Sequence, residues 1–233
     1  MKVVILCGGK GTRLAEETHT KPKPLVEIAG IPILQHILES YKKFKFNEFI
    51  LAAGYLGEQI TDFVNNSIYK NTTKVIDTGT ETLTGGRLLR LRDQLVNEEC
   101  FMLTYGDGLC DVNITNVLNF HKKHGKIATV TAVRPPARFG VMKLADDKVE
   151  YFSEKSQTDV GWINGGYFVF NSEIFNYLLD DKSVLEEFPL QQLTAEAHLM
   201  AFKHEGFWQC MDTLRDKEFL EEICSQGRAP WLK

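Results

Sequence analysis

Three groups of residues in this 233-residue chain have types and spacings suited to chemistry on phosphates. The first follows the apolar run Val3-Val4-Ile5-Leu6 and reads Cys7-Gly8-Gly9-Lys10-Gly11-Thr12-Arg13. Glycines let backbone N–H groups approach an anion because no Cβ stands in the way. Arg13 adds a charged fork matched to phosphate oxygens. The second is Lys21-Pro22-Lys23-Pro24-Leu25, where two prolines hold two lysines on extended backbone. Lys23 reads as a second phosphate ligand and Lys21 as part of a solvated basic loop. The third is a pair of carboxylates. Asp107 lies in Thr104-Tyr105-Gly106-Asp107-Gly108, and Asp212 lies in Met211-Asp212-Thr213 ahead of a closing helix. Each has an ordinary explanation, a turn for Asp107 and a helix N-cap for Asp212 or Thr213. Beside a phosphate cradle they become candidate ligands for Mg²⁺, which favours a few carboxylates, phosphate oxygens and retained waters.

These residues need a scaffold that brings strand ends together. Lys2–Leu6, Glu48–Ala53, Lys74–Asp77 and Cys100–Tyr105 read as strands. They alternate with helices at Ile33–Phe44, Glu58–Asn65, Arg87–Leu95 and Ile114–His124. The alternation predicts an α/β fold with a Rossmann-like, doubly wound, largely parallel sheet, whose ligands bind at strand C-termini. In the second half, strands are expected at Ala128–Arg134, Gly161–Phe170, His198–Lys203 and Gly206–Gln209, with a hairpin of Phe139–Leu144 and Val149–Glu154. Helices are expected at Ser172–Leu179, Leu190–Glu196 and Arg215–Gln226. Residues 1–233 read as one domain, about 1–125 a nucleotide half and about 126–233 a sugar-phosphate half of a mixed sheet.

Several classes are disfavoured. The loop is neither Gly-x-Gly-x-x-Gly nor a Walker loop, and no His-Glu-x-x-His or Gly-x-Ser-x-Gly occurs. A net charge of −4 argues against duplex nucleic acid as the main ligand. The five cysteines are scattered without Cys-x-x-Cys, and no apolar stretch reaches membrane-spanning length. A cytoplasmic protein with no nucleic-acid or membrane partner is expected.

The entry motif Cys7 to Leu14 with Lys21-Pro22-Lys23-Pro24 resembles that of sugar-1-phosphate nucleotidylyltransferases. Thr84-Gly85-Gly86-Arg87-Leu88, Thr104 to Gly108 and Met211-Asp212-Thr213 resemble the glucose-1-phosphate cytidylyltransferase branch. The likeness runs from Met1 to about Trp231 and implies a mixed sheet of the glycosyltransferase-A-like nucleotidyltransferase type. It implies CTP and a sugar-1-phosphate as substrates, Mg²⁺ as cofactor and a homo-oligomer. Nucleotide contacts are implied for Leu6, Cys7, Gly8, Gly9, Lys10, Gly11, Thr12, Arg13, Thr84, Gly85, Arg87, Tyr105 and Gly106. The metal aspartates fall on Asp107 and Asp212, and Arg13 and Lys23 are the catalytic cations.

Around these positions the residue chemistry leaves choices open. Thr84 suits a helix N-cap, and the glycines after it allow a base to approach the backbone. Arg87 suits either a base carbonyl or a phosphate. Lys155 and Lys23 suit the sugar phosphate, while Glu154 and Asn164 suit sugar hydroxyls. Gly165-Gly166 weakens a strand unless something approaches closely, and Trp208 offers a face to a sugar. Two departures from the family stand out: Ser156 where proline usually follows Glu-Lys, and a short connection over Phe63–Lys74. The expected reaction is transfer of CMP from CTP to a sugar-1-phosphate, above all α-D-glucose 1-phosphate. Another phosphorylated acceptor, or a nucleotide-sugar sensor without catalysis, are the competing expectations.

Overall fold

The computed structural model describes residues 1–136, 141–153 and 161–233. Its strands are β1 (Lys2–Cys7), β2 (Glu27–Ile28), β3 (Ile31–Pro32), β4 (Glu48–Ala53), β5 (Thr73–Asp77), β6 (Cys100–Tyr105) and β7 (Gly108–Cys110). They continue with β8 (Ala128–Val133), β9 (Val141–Ala145), β10 (Lys148–Ser153), β11 (Ile163–Asn171), β12 (Leu199–His204) and β13 (Trp208–Cys210). A seven-stranded sheet has the order β12-β8-β11-β6-β1-β4-β5. From β6 to β5 the pairs are parallel, β11 runs antiparallel to both neighbours, and β8 and β12 are parallel. The fold is therefore the expected mixed, mainly parallel α/β sheet.

Period-two alternation in the central strands builds two cores. Val3, Ile5, Cys7, Phe49 and Leu51 face one layer, where the helix Ile33–Lys42 buries Ile33, Leu34, Ile37, Leu38 and Tyr41. Val4, Leu6, Ile50 and Ala52 face the other, which holds Leu88, Leu91, Phe101, Phe168 and Phe170. Burial on both faces explains why β1, β4 and β6 read as continuous apolar runs.

The chain winds from β1 outward through β4 to β5, then returns to place β6 on the other side of β1. That reversal opens a crevice at the C-terminal ends of β1 and β6, the usual ligand position in such sheets. Gly8 and Asp107 follow those two ends within two residues.

Some elements depart from the sequence reading. The segment Thr84-Gly85-Gly86 lies inside the helix Thr84–Arg90, and Ser172–Tyr177 is a 3-10 helix. The three-residue strand β7 was not foreseen, and it pairs antiparallel with β13. The hairpin is present as β9 and β10, while Phe139 and Glu154 at its expected ends lie outside the described residues. Among the described residues, no helix is long and apolar enough to cross a membrane.

Candidate active site

The glycine loop after β1 is shaped by close approaches. Gly11 has φ 64°, and a Cβ there would stand 2.9 Å from the Thr18 methyl and 3.2 Å from the Lys23 Cβ. The turn Thr12–Leu14 follows at once, with the Leu14 N–H donating to the Gly11 carbonyl at 2.9 Å. Gly106 donates its N–H to the Leu6 carbonyl at 3.1 Å, and a Cβ would lie 2.8 Å from that same oxygen. Any larger residue at Gly106 would force β1 and the Asp107 turn apart.

Behind this loop lies Arg87, a buried guanidinium with 4 % exposure. Its Nη2 donates to the Gly8 carbonyl at 2.8 Å, and its Nη1 donates to the Gly79 carbonyl at 2.7 Å and Thr78 Oγ1 at 2.8 Å. Longer bonds reach the Ala53 carbonyl at 3.2 Å and the Thr80 carbonyl at 3.4 Å. A Cβ on Gly8 would fall 2.1 Å from Nη1, and one on Gly54 would fall 2.5 Å from it. Burial lowers the Arg87 pKa from its ordinary value, against the attraction of Asp77. The structure thus turns Arg87 onto backbone carbonyls, where it ties together the ends of β1, β4 and β5.

The charged centre forms where Arg13 and Lys23 meet the two aspartates. Lys23 Nζ donates to Asp107 Oδ2 at 2.6 Å and to Asp212 Oδ1 at 2.7 Å. Arg13 Nη1 donates to Asp212 Oδ2 at 2.7 Å, with most of the Arg13 side chain in solvent. Burial alone would lower the Lys23 pKa; the charges and hydrogen bonds of Asp107 and Asp212 outweigh it and hold the ammonium above the ordinary lysine value. Asp212 moves the other way: burial would raise it, and Lys23 and Arg13 together keep it below the usual carboxylate range.

The β7–β13 ladder explains how Asp107 and Asp212 become neighbours. Gly108 pairs with Cys210, and the Met211 N–H donates to the Asp107 carbonyl at 2.8 Å. Thr213, not Asp212, caps the helix Leu214–Ser225, through a reciprocal box with Asp216. Asp216 Oδ2 accepts from the Asp212 N–H at 3.2 Å and the Thr213 N–H at 2.9 Å. The cap therefore fixes the Asp212 backbone and leaves its carboxylate to the cations. Two carboxylates converging on one ammonium form an all-oxygen donor set, which fits a hard divalent ion such as Mg²⁺.

These groups line a cavity of about 580 Å³. The nucleotidyl transferase family matches residues 2–213 of the chain. The chain belongs to this family. Over 99 % of its length this nucleotidyl transferase is 43 % identical to glucose-1-phosphate cytidylyltransferase of Salmonella typhimurium, covering 98 % of that protein. It is 38 % identical to the probable glucose-1-phosphate cytidylyltransferase of Bacillus subtilis, covering 99 % of each. The Salmonella alignment spans 253 positions against 233 residues here, so that relative has residues without a counterpart in this chain. Among solved structures, HddC from Yersinia pseudotuberculosis, complexed with GMP-PN, superposes with a TM-score of 0.77. It shares 24 % identity over 96 % of this chain and 99 % of its own, a likeness of fold.

In the nucleotidyl transferase cavity, Leu6, Cys7, Gly8, Gly9, Gly11, Thr12, Arg13 and Lys23 form one wall. Thr84, Arg87, Tyr105, Gly106, Asp107, Asn164, Trp208 and Asp212 also line it. Lys10 stands outside, ion-paired with Glu81 at 2.7 Å. Gly85 is a packing residue, since a Cβ would lie 2.9 Å from the Ser183 carbonyl. Thr84 does not cap its helix; its hydroxyl donates to Glu186 Oε2 at 2.7 Å and accepts from the Leu185 N–H at 2.9 Å. Glu154 and Lys155 lie outside the described residues.

The weak strand at Gly165-Gly166 has a structural answer. Gly166 has φ 77°, and a Cβ would come within 2.5 Å of the Tyr105 ring; one on Gly165 would meet Val133 at 2.7 Å. The register of β11 against β8 shifts across these residues. The Gly165 carbonyl then accepts the Trp208 indole N–H at 2.7 Å, fixing that ring at the cavity. Glu186, Thr82, Leu83 and Cys210 line the cavity without having been singled out in the sequence. The Cys210 thiol is pushed up to about 12 by burial and by Asp212, so it stays protonated. Only the capping pattern Thr213-x-x-Asp216 carried a readable signal; it assigns the cap to Thr213 and so frees Asp212.

Proposed function

We propose that this nucleotidyl transferase moves CMP from CTP to α-D-glucose 1-phosphate, giving CDP-glucose and pyrophosphate, with Mg²⁺ at Asp107 and Asp212. The observation that carries the reading is the meeting of Arg13, Lys23, Asp107 and Asp212 beside the glycine loop. The choice of CTP and glucose rests on the two glucose-1-phosphate cytidylyltransferase relatives.

The acceptor phosphate is already an anion, so its oxygen needs no general base to attack the α-phosphorus. A P–O bond forms there as the bond to the leaving pyrophosphate breaks. The obstacle is electrostatic, because two polyanions meet and charge accumulates on the transferred group. Loop amides and Arg13 hold the outer phosphates, and Lys23, fixed between two carboxylates, lies ready for the α-phosphate. A bound divalent ion supplies charge neutralisation for both substrates.

The test is pyrophosphate release with Mg²⁺ and α-glucose 1-phosphate, using CTP, UTP, dTTP, ATP and GTP in turn. Turnover mainly with CTP is the expected result. Preference for another nucleotide would overturn the cytidylyl assignment, and binding of CTP without turnover would overturn the acceptor or the catalytic reading.

A further inference from the structure

Glu186 stands in the cavity as a carboxylate among groups that must receive polyanions. Among the described residues no lysine, arginine or histidine is ion-paired with it. Two neutral donors hold it instead. The Tyr105 hydroxyl donates to Oε1 in a short hydrogen bond, and the Thr84 hydroxyl donates to Oε2 at 2.7 Å. Thr84 is itself fixed by the Leu185 N–H at 2.9 Å. The Asn164 amide donates to the Tyr105 oxygen at 3.2 Å, while its own Oδ1 accepts the Gly166 N–H at 2.8 Å. The carboxylate is thus oriented through both oxygens, and among the described residues no cation is ion-paired with it.

A fixed negative group of this kind repels phosphate and selects hydrogen-bond donors. Each oxygen has one described donor and keeps a lone pair for another. Glu186, Tyr105 and Asn164 line the same cavity as Lys23, Asp107 and Asp212. A ligand with a phosphate at one end and neighbouring hydroxyls at the other matches this layout: anion toward Lys23, hydroxyls toward Glu186.

We infer that Glu186, oriented by Tyr105 and Thr84, is a specificity-determining residue that accepts hydrogen bonds from the acceptor's sugar hydroxyls. This rests on the sugar-1-phosphate reading above and adds the group that reads the sugar ring. Glu186 distinguishes polyhydroxylated sugar phosphates from phosphorylated acceptors that lack donors at that distance from phosphorus.

The experiment measures kcat/KM for wild type and Glu186→Gln with α-glucose 1-phosphate and its 2-, 3-, 4- and 6-deoxy analogues. A hydrogen bond to a charged acceptor corresponds to roughly 10- to 100-fold in rate. In wild type, removal of one hydroxyl should lower kcat/KM by about that factor. Glu186→Gln should lose a similar factor with the intact sugar and show no further loss with that one analogue, while KM for CTP stays within about 3-fold. Equal deoxygenation penalties in both proteins, or a loss falling on CTP, would overturn the inference. Tyr105→Phe, which frees Glu186 from one anchor, should reproduce a smaller loss on the same hydroxyl and covers the case of a Glu186 variant that does not fold. An unchanged pattern there would count against it equally. Wild-type activity separates the two readings: if another sugar 1-phosphate proves to be the acceptor, the glucose assignment fails and the deoxy series of that sugar tests Glu186.

Discussion

Replacing Arg87 with alanine should destabilise the protein by about 3–4 kcal/mol and weaken nucleotide binding with it. Three of its hydrogen bonds are short, to the Gly8 and Gly79 carbonyls and to Thr78 Oγ1. At roughly 1.5–3 kcal/mol for a charged donor these give a gross of about 5–9 kcal/mol. Desolvation of a guanidinium that, among the described residues, donates to carbonyl and hydroxyl oxygens and to no carboxylate offsets roughly half of that. Gly8→Ala supplies an independent check, because its Cβ would overlap the guanidinium at 2.1 Å. It should cost about 2–3 kcal/mol in the wild-type background and little when Arg87 is already alanine. The two changes should therefore couple by about 2 kcal/mol. Urea denaturation of the four proteins measures the coupling, and KM for CTP, expected to rise about 10-fold in Arg87→Ala, ties it to the loop. Additivity within about 0.5 kcal/mol, or an Arg87→Ala loss below about 1 kcal/mol, would refute the view that this guanidinium organises the cradle.

Asp107→Asn and Asp212→Asn should each lower turnover by at least about 100-fold, and a chelator should abolish wild-type activity until Mg²⁺ is restored; full turnover in chelator would remove the metal from the proposal. Asp212, held below the usual carboxylate range, contributes stability that is complete above the unfolded pKa of about 4 and is lost as pH falls through its lower folded value. In chelator, wild type should exceed Asp212→Asn by about 1 kcal/mol at neutral pH and approach it in acid; a gap independent of pH would contradict the assigned ion pairs. Asp216→Ala should destabilise the protein by about 1–2 kcal/mol through loss of the cap. It should also lower kcat, because the same carboxylate accepts the Asp212 N–H; a stability loss with unchanged kcat would show that the cap does not position Asp212.

What the sequence revealed depended on covalent neighbourhood. Cys7 to Arg13 are consecutive, so their order already describes a loop that can wrap an anion. The buried runs of β1, β4 and β6 were equally plain, because each strand packs on both faces. The pairing of Asp107 with Asp212 rested on the neighbouring phosphate cradle and on resemblance, since β7 and β13 are too short to carry a period. Arg87 illustrates a chemical ambiguity: carbonyl and phosphate oxygens both accept from a guanidinium, so residue type alone does not choose between them. Glu186 sits next to Glu187 in an ordinary acidic pair, and only the fold turns the first toward the cavity. Gly165-Gly166 was correctly marked as a place of close approach, but the approaching groups are Val133 and Tyr105.

The short ladder of β7 and β13 bears on how the molecule matures during synthesis. Lys23 lies 84 positions from Asp107 and 189 from Asp212. A ribosome-bound chain can complete the glycine loop and its neighbouring strands long before Trp208–Cys210 emerges to pair with Gly108–Cys110. Until that pairing, Lys23 and Asp107 face each other without the second carboxylate. Contacts of such sequence separation form late, after loop-closure entropy has been overcome. The nascent protein would therefore form its glycine loop first and the complete charged centre last, as this late-made strand docks.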